Sequence, residues 1–278
     1  FGELLTSGNL KPVYFFKGIG DGMQEVFNDI RAGQTESAFL LESAKQRFSE
    51  IYKKYHAENW LNRKKDVLRV KSERGDSFEL TRGQAMSIYA ISKRERANAE
   101  RGDAHLSTGG FVFKDEQTVK KRGIEYTFDD AAPKPLTQKD ISQISAWLTG
   151  EQKAFADEIV AYMSKDLSVL GNETSIKMTG AKKFLEPYYF PYKTSQDFLS
   201  EKSGKTSERV NPLLATSGFT KAVTQHATAP IVLQDFSEVA ATHCVDMIMY
   251  HAMAIPQQTL SRVFNFRLCL LYTSDAAD

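Results

Sequence analysis

The chain of 278 residues is 41% hydrophobic and 26% charged, with 36 basic side chains against 35 acidic ones, proportions that exclude collagen-like, mucin-like and strongly disordered classes. Its length allows one large domain or two modest ones and is ample for a buried core. No uncharged stretch supplies the ~20 apolar residues of a membrane span, and two cysteines exclude a disulfide scaffold or a cysteine-only structural zinc site.

Neither end reads as a natural terminus. The chain opens on Phe1, so the absence of a signal peptide carries no meaning. The run from Cys269 to Asp278 back-translates in a single frame to a transposon-end sequencing adapter, and residues 269–278 are set aside as an expected non-native tail. Without Asp275 and Asp278 the 35 acidic residues fall to 33 against 36 basic, a net charge of +3, and Cys244 is the cysteine that remains. A lone cysteine leaves a reducing compartment open. The rest is expected to be an internal segment of a longer protein, assembled from environmental DNA.

In chain order, residues 22–32 and 35–60 read as helices separated by Gly33, the second carrying Phe39, Leu40, Ala44, Phe48, Ile51, Tyr52 and Tyr55 near a 3.6-residue period. Residues 67–70 and 78–80 flank Arg74-Gly75-Asp76 as a small hairpin. Thr81 with Gln84 opens a helix through a capping box, in which the hydroxyl accepts an orphan N–H and the amide reaches back. Residues 111–113 and 124–128 predict short strands, and 129–135, with Pro133 and Pro135, predict a linker. Thr137 with Asp140 and Thr149 with Gln152 mark two further capped starts, with Leu136 placed to staple onto Ile141. A helix over 150–170 presents Ala156, Val160, Met163, Leu167 and Leu170 on one face. Residues 193–209 predict a polar surface loop. Asp235 caps a last helix with the stripe Phe236, Ala240, His243, Met247, Tyr250 and Ala254, which Pro256 is expected to break before another helix over 257–266.

Candidate chemistry is sparse. Residues 13–22 pass from an apolar run through Gly18, Gly20 and Gly22 into a helix, the order a phosphate cradle needs, but Met23 stands where a third glycine belongs, and a flexible turn is the plainer reading. His243 and His251 lie eight positions apart, too far for a zinc pair without further ligands, and read as core histidines. Cys244 reads as a small buried apolar residue. Lys93, Arg94 and Arg96, with Arg101, end a helix, where cations complement the carbonyl end. Alternatively they contact phosphate, in a patch extended by Lys64, Lys65, Lys120, Lys121 and Arg122. Tyr188, Tyr189 and Tyr192, in an extended loop between Pro187 and Pro191, offer rings for base stacking or pin a loop to the core. No HExxH, CxxC, GxSxG or P-loop occurs, and neither cofactor nor metal is expected.

Several phrases carry a resemblance. They are Leu-Thr-Arg-Gly-Gln-Ala-Met-Ser-Ile-Tyr-Ala-Ile-Ser-Lys-Arg-Glu (80–95), Gly-Asn-Glu-Thr-Ser (171–175), Tyr-Tyr-Phe-Pro-Tyr (188–192), Asn-Pro-Leu-Leu (211–214), and His-x-x-x-Met-x-x-Tyr-His-Ala (243–252). Over most of residues 1–267 the chain resembles an uncharacterised helical region of the large polyvalent proteins of bacteriophages and related mobile elements. Such proteins join effector domains through uncharacterised segments and are thought to travel with injected DNA. The resemblance carries over no catalytic residue.

The fold expected is mainly α, a helical bundle-like array with a few short β-strands, including a small hairpin, in the N-terminal half. Residues 1–130 and 131–268 are expected as two helical regions. The function expected is a non-catalytic scaffold or interaction segment of a large phage protein. Its partners would be neighbouring domains of the same chain and phage DNA or virion proteins, in the host cytoplasm or the virion and not in a membrane. A nucleic-acid-contacting segment is the alternative, and an enzyme using His243, His251 and Asp246 the third. A truncated last helix is expected to expose Val263, Phe264 and Phe266.

Overall fold

The computed structural model of the chain describes residues 21–61, 66–97, 99, 104–114, 118–121, 124–127, 132–195 and 229–274. It is mainly helical with a small antiparallel hairpin in the N-terminal half, as the sequence predicts. The first helix, α1 (Asp21–Lys54), runs unbroken through Gly33. It leads to the hairpin of β1 (Val67–Lys71) and β2 (Ser77–Thr81), in which Leu68 opposes Leu80 and Gly75 turns the chain at φ 98°. There follow α2 (Arg82–Ala97), the single turn α3 (His105–Thr108), β3 (Phe111–Phe113) and an antiparallel pair, β4 (Thr118–Lys121) with β5 (Ile124–Thr127).

The second half begins with α4 (Gln138–Trp147) and α5 (Gly150–Ala161). The latter continues through a π-helical stretch, Tyr162–Leu167, into α6 (Ser168–Thr179). A short strand, β6 (Ile231–Leu233), precedes the long α7 (Phe236–Ser274). Here too the structure departs from the sequence reading. Strand β3 pairs in parallel with β6, Phe111 opposite Ile231, and Pro256 lies inside α7 without ending it. The expected linker is not free where it is described: Lys134 exchanges backbone hydrogen bonds with Phe111, at 2.8 and 3.1 Å.

All four capped starts form. Thr137 and Asp140, and Thr149 and Gln152, make reciprocal boxes, while Gln84 N–H donates to Thr81 Oγ1 at 3.3 Å and Thr81 N–H to Gln84 Oε1 at 3.0 Å. Asp235 Oδ1 accepts from Ser237 N–H at 2.9 Å at the head of α7. One core cluster draws on residues from Ala44 to Ala254, both sides of residue 130, with Phe111, Phe155, Phe190 and Phe236 among its largest fully buried side chains. Burial of each such ring is worth roughly 2–3 kcal/mol. Among the described residues no helix is long and apolar enough to cross a membrane.

Candidate functional site

The two segments that the sequence singles out, the basic end of α2 and the aromatic loop, meet in space. The loop is seated from below: Phe190 stacks on Phe236 of α7 with centroids 5.2 Å apart and planes 4° from parallel. Its backbone is tied to the π-helical stretch, Tyr189 N–H donating to Ser164 Oγ at 2.8 Å. A π-turn widens the helix by one residue and often marks a place where other groups enter the hydrogen-bond ladder. Here it presents a hydroxyl to the loop.

Lys93 then lies between two tyrosines and an aspartate. Its Nζ donates to both carboxylate oxygens of Asp157 at 2.8 Å and sits 4.9 Å from the Tyr188 ring centroid. The same carboxylate accepts from Tyr188 Oη at 3.0 Å and from Tyr89 Oη at 3.1 Å. Burial, with Asp157 beside them, pushes both phenols above their ordinary value. Burial opposes the charge on Lys93, but Asp157 outweighs it and the ammonium is held more firmly than usual. Both phenols are thus neutral at pH 7, around a Lys93–Asp157 ion pair whose side chains are each more than a third exposed.

Arg94 points the other way, into the protein, and is only 8% exposed. Its Nη1 donates to the Phe190 carbonyl at 3.2 Å, and its guanidinium carbon lies 4.7 Å from the Tyr192 ring centroid and 5.1 Å from that of Tyr189. Tyr192 in turn meets the His105 ring edge-on at 5.1 Å, and Tyr189 meets His243 at 5.2 Å. Arg96 is exposed. The three cations of one helix end thus have three surroundings. Arg122, Lys64, Lys65 and Arg101 fall outside the described residues, as do the side chains of Lys120, Lys121, Val263, Phe264 and Phe266 and the glycine-rich stretch up to residue 20.

The residues of the third reading do not converge. His243 is 4% exposed, and burial lowers its pKa to about 4, so the ring is neutral at pH 7. His251 instead touches other helices: its Nδ1 is 3.0 Å from the Leu170 carbonyl and 3.0 Å from Thr174 Oγ1, and its Nε2 is 3.5 Å from Glu36. Asp246 is exposed. Cys244 is buried, and burial raises its thiol pKa to about 11, the opposite of an activated nucleophile. Among the described residues no group of three or more His, Cys, Asp or Glu is placed to hold a metal ion.

Sequence reasoning missed Asp157, Ser164 and His105. Asp157 sits on the polar side of its helix with no motif around it, and only the fold brings it within reach of a lysine 64 positions away. No family model, curated protein or solved structure matches the chain.

Proposed function

We propose that the chain is a non-catalytic helical scaffold or interaction segment of a large multi-domain phage protein, working through neighbouring domains of its own chain and through virion components in the host cytoplasm or the virion. The observation that supports this reading is how two of the singled-out cations are used. Lys93 is neutralised by Asp157, and Arg94 is covered by tyrosine rings, so side chains suited to grip a ligand instead join α2, α5 and the aromatic loop to one another.

A phosphate backbone needs accessible cations, and each neutralised phosphate adds about 0.9 to the slope of log affinity against log salt. Of Lys93, Arg94 and Arg96, only Arg96 presents its charge unobstructed to solvent. Among the described residues of that helix end, the nucleic-acid reading therefore has Arg96 to work with.

Fluorescence anisotropy with a labelled DNA duplex and a labelled single strand, from 50 to 200 mM salt, separates the two readings. The scaffold reading expects no saturable binding at the higher salt. Binding there with a log–log slope of about −3 or steeper, weakened by Arg96→Ala, overturns it. The internal role of Lys93 has its own readout. Lys93→Ala and Asp157→Ala should each lower the unfolding midpoint, and their double-mutant cycle should give a coupling of about 0.5–1 kcal/mol, modest because both side chains are more than a third exposed. Additive effects would remove the pair from the scaffold.

A further inference from the structure

Residues 181–192 cross the helices as a strap. The chain leaves α6 at Gly180, whose φ of 77° lets it turn back, and is fixed again where the Lys193 carbonyl accepts from Val232 N–H at 2.9 Å. Between those points side chains of the body clip the main chain down. Asn172 of α6 accepts from the Lys183 and Phe184 N–H groups at 3.0 and 2.9 Å and donates to the Phe184 carbonyl at 2.8 Å. Ser164 accepts from Tyr189 N–H, Ser175 donates to the Ala181 carbonyl, and Arg94 donates to that of Phe190. Within the strap only Phe190 is buried, at 1% exposure, while Leu185 stands 69% exposed. A segment held by polar clips with so little deep apolar burial belongs to the low end of local stability.

Its closed position covers the basic end of α2. The rings of Tyr189 and Tyr192 lie 5.1 and 4.7 Å from the Arg94 guanidinium carbon, and the Tyr188 ring lies over Lys93. Those rings are turned inward, Tyr188 toward Asp157 and Tyr189 against His243. Lifting the strap would bare the Arg94 guanidinium beside the exposed Arg96 and free the tyrosine faces in the same movement. Cations next to loose aromatic rings are what a single strand needs, for its phosphates and for its unpaired bases.

We propose that residues 181–192 are an autoinhibitory strap, which covers when closed and completes when released a surface for single-stranded nucleic acid. That surface consists of Arg94, Arg96 and the rings of Tyr188, Tyr189 and Tyr192. Lys93 keeps its pair with Asp157, which no strap residue supplies. Such a strap goes beyond the scaffold reading, which concerns the closed protein. Single-strand binding by the parent at the higher salt would sink the scaffold reading, whereas the strap is judged by what its release adds.

Amide exchange and apparent affinity both scale with the open fraction, so the two are measured together. In the parent, the Phe184 and Tyr189 amides should share one protection factor, about a hundredfold or more below that of the α5 amides. Removing a clip should raise the open fraction about fivefold per hydrogen bond. The Phe184 amide, which bonds to Asn172, is read in Ser164→Ala, and the Tyr189 amide, which bonds to Ser164, is read in Asn172→Ala. At about 20 mM salt, affinity for a labelled oligothymidylate should rise by the same factor as the exchange, with a log–log salt slope near −1.4 for two cations. Duplex affinity should rise less. Arg94→Ala, which removes a clip and a cation together, should speed exchange without any gain in binding. Tyr188→Phe, which deletes only the bond to Asp157, is the milder release if a clip variant fails to fold. Strap amides as protected as those of α5, or an amide at one clip indifferent to loss of the other, would mean that no strap opens as a unit. Faster exchange without the matching gain in single-strand affinity, or an equal gain for duplex, would mean that its release completes no such surface. Each of these results overturns the proposal.

Discussion

His243 shows how one buried side chain sets a pH dependence. Its ring lies against Tyr189 with 4% exposure, and burial lowers its pKa from the ordinary 6.5 to about 4. Between those two values the unfolded chain binds a proton that the folded chain refuses, so stability is complete above pH 6.5 and falls as the pH drops toward 4. The loss should reach about 3 kcal/mol by pH 4, at 1.36 kcal/mol per unit. Carboxylates held below their ordinary values act lower on the scale. Lys54 does this for Glu158, and at Asp140 the hydrogen bonds from Thr137 and Ser72 outweigh burial. Urea unfolding of the parent and of His243→Phe from pH 4.5 to 7 checks the assignment, the variant being expected to lose about one proton's worth of slope across that window. An unchanged slope would place the proton elsewhere. That His243 is a core histidine was legible from the apolar stripe it shares with Phe236 and Tyr250. The pairing of Lys93 with Asp157 was not, because a single surface-type aspartate carries no local signal of a distant partner.

Helix starts were readable because a capping box is complete within four residues, and each of the four residue pairs forms hydrogen bonds in place. Pairing of β3 with β6 was hidden because its partners lie 120 positions apart, and three-residue strands buried on both faces show no alternation. The two helix breakers were misleading for a connected reason. Pro256 has no N–H, so the Ala252 carbonyl one turn earlier loses its intrahelical donor. Gly33 is the residue of α1 that faces that carbonyl, and any Cβ there would collide with its oxygen. The glycine lets α1 and α7 cross closely enough for the backbone of one to cover the opened turn of the other, so both helices run on. Propensity alone predicts that Gly33→Ala stabilises α1 by about 1 kcal/mol. The close crossing expects the opposite sign, a loss of about 1–3 kcal/mol, since the obstruction is backbone and cannot rotate away. Denaturant unfolding of this one variant decides, and a gain in stability would rule out the tight crossing.

Across the whole molecule, the contacts that matter most join the regions before and after residue 130. Trp60 belongs to the first region, yet its ring packs edge-on against Phe155 of α5 at 5.2 Å. Trp147 belongs to the second, yet the Arg82 guanidinium of α2 lies 3.9 Å from its ring centroid while donating to the Trp147 carbonyl at 3.2 Å. The parallel pairing of β3 with β6 and the crossing of α1 with α7 add two further ties. Neither region could expose these faces without losing much of its own apolar burial, so separate unfolding of one would destabilise the other. The chain has two tryptophans, and Trp60→Phe and Trp147→Phe each leave one reporter, seated on opposite sides of the same junction. Their urea transitions should coincide with each other and with loss of helical circular dichroism to within about 0.2 M, the behaviour of one cooperative unit. A Trp147 transition well ahead of the Trp60 transition would divide the chain into two independently stable regions.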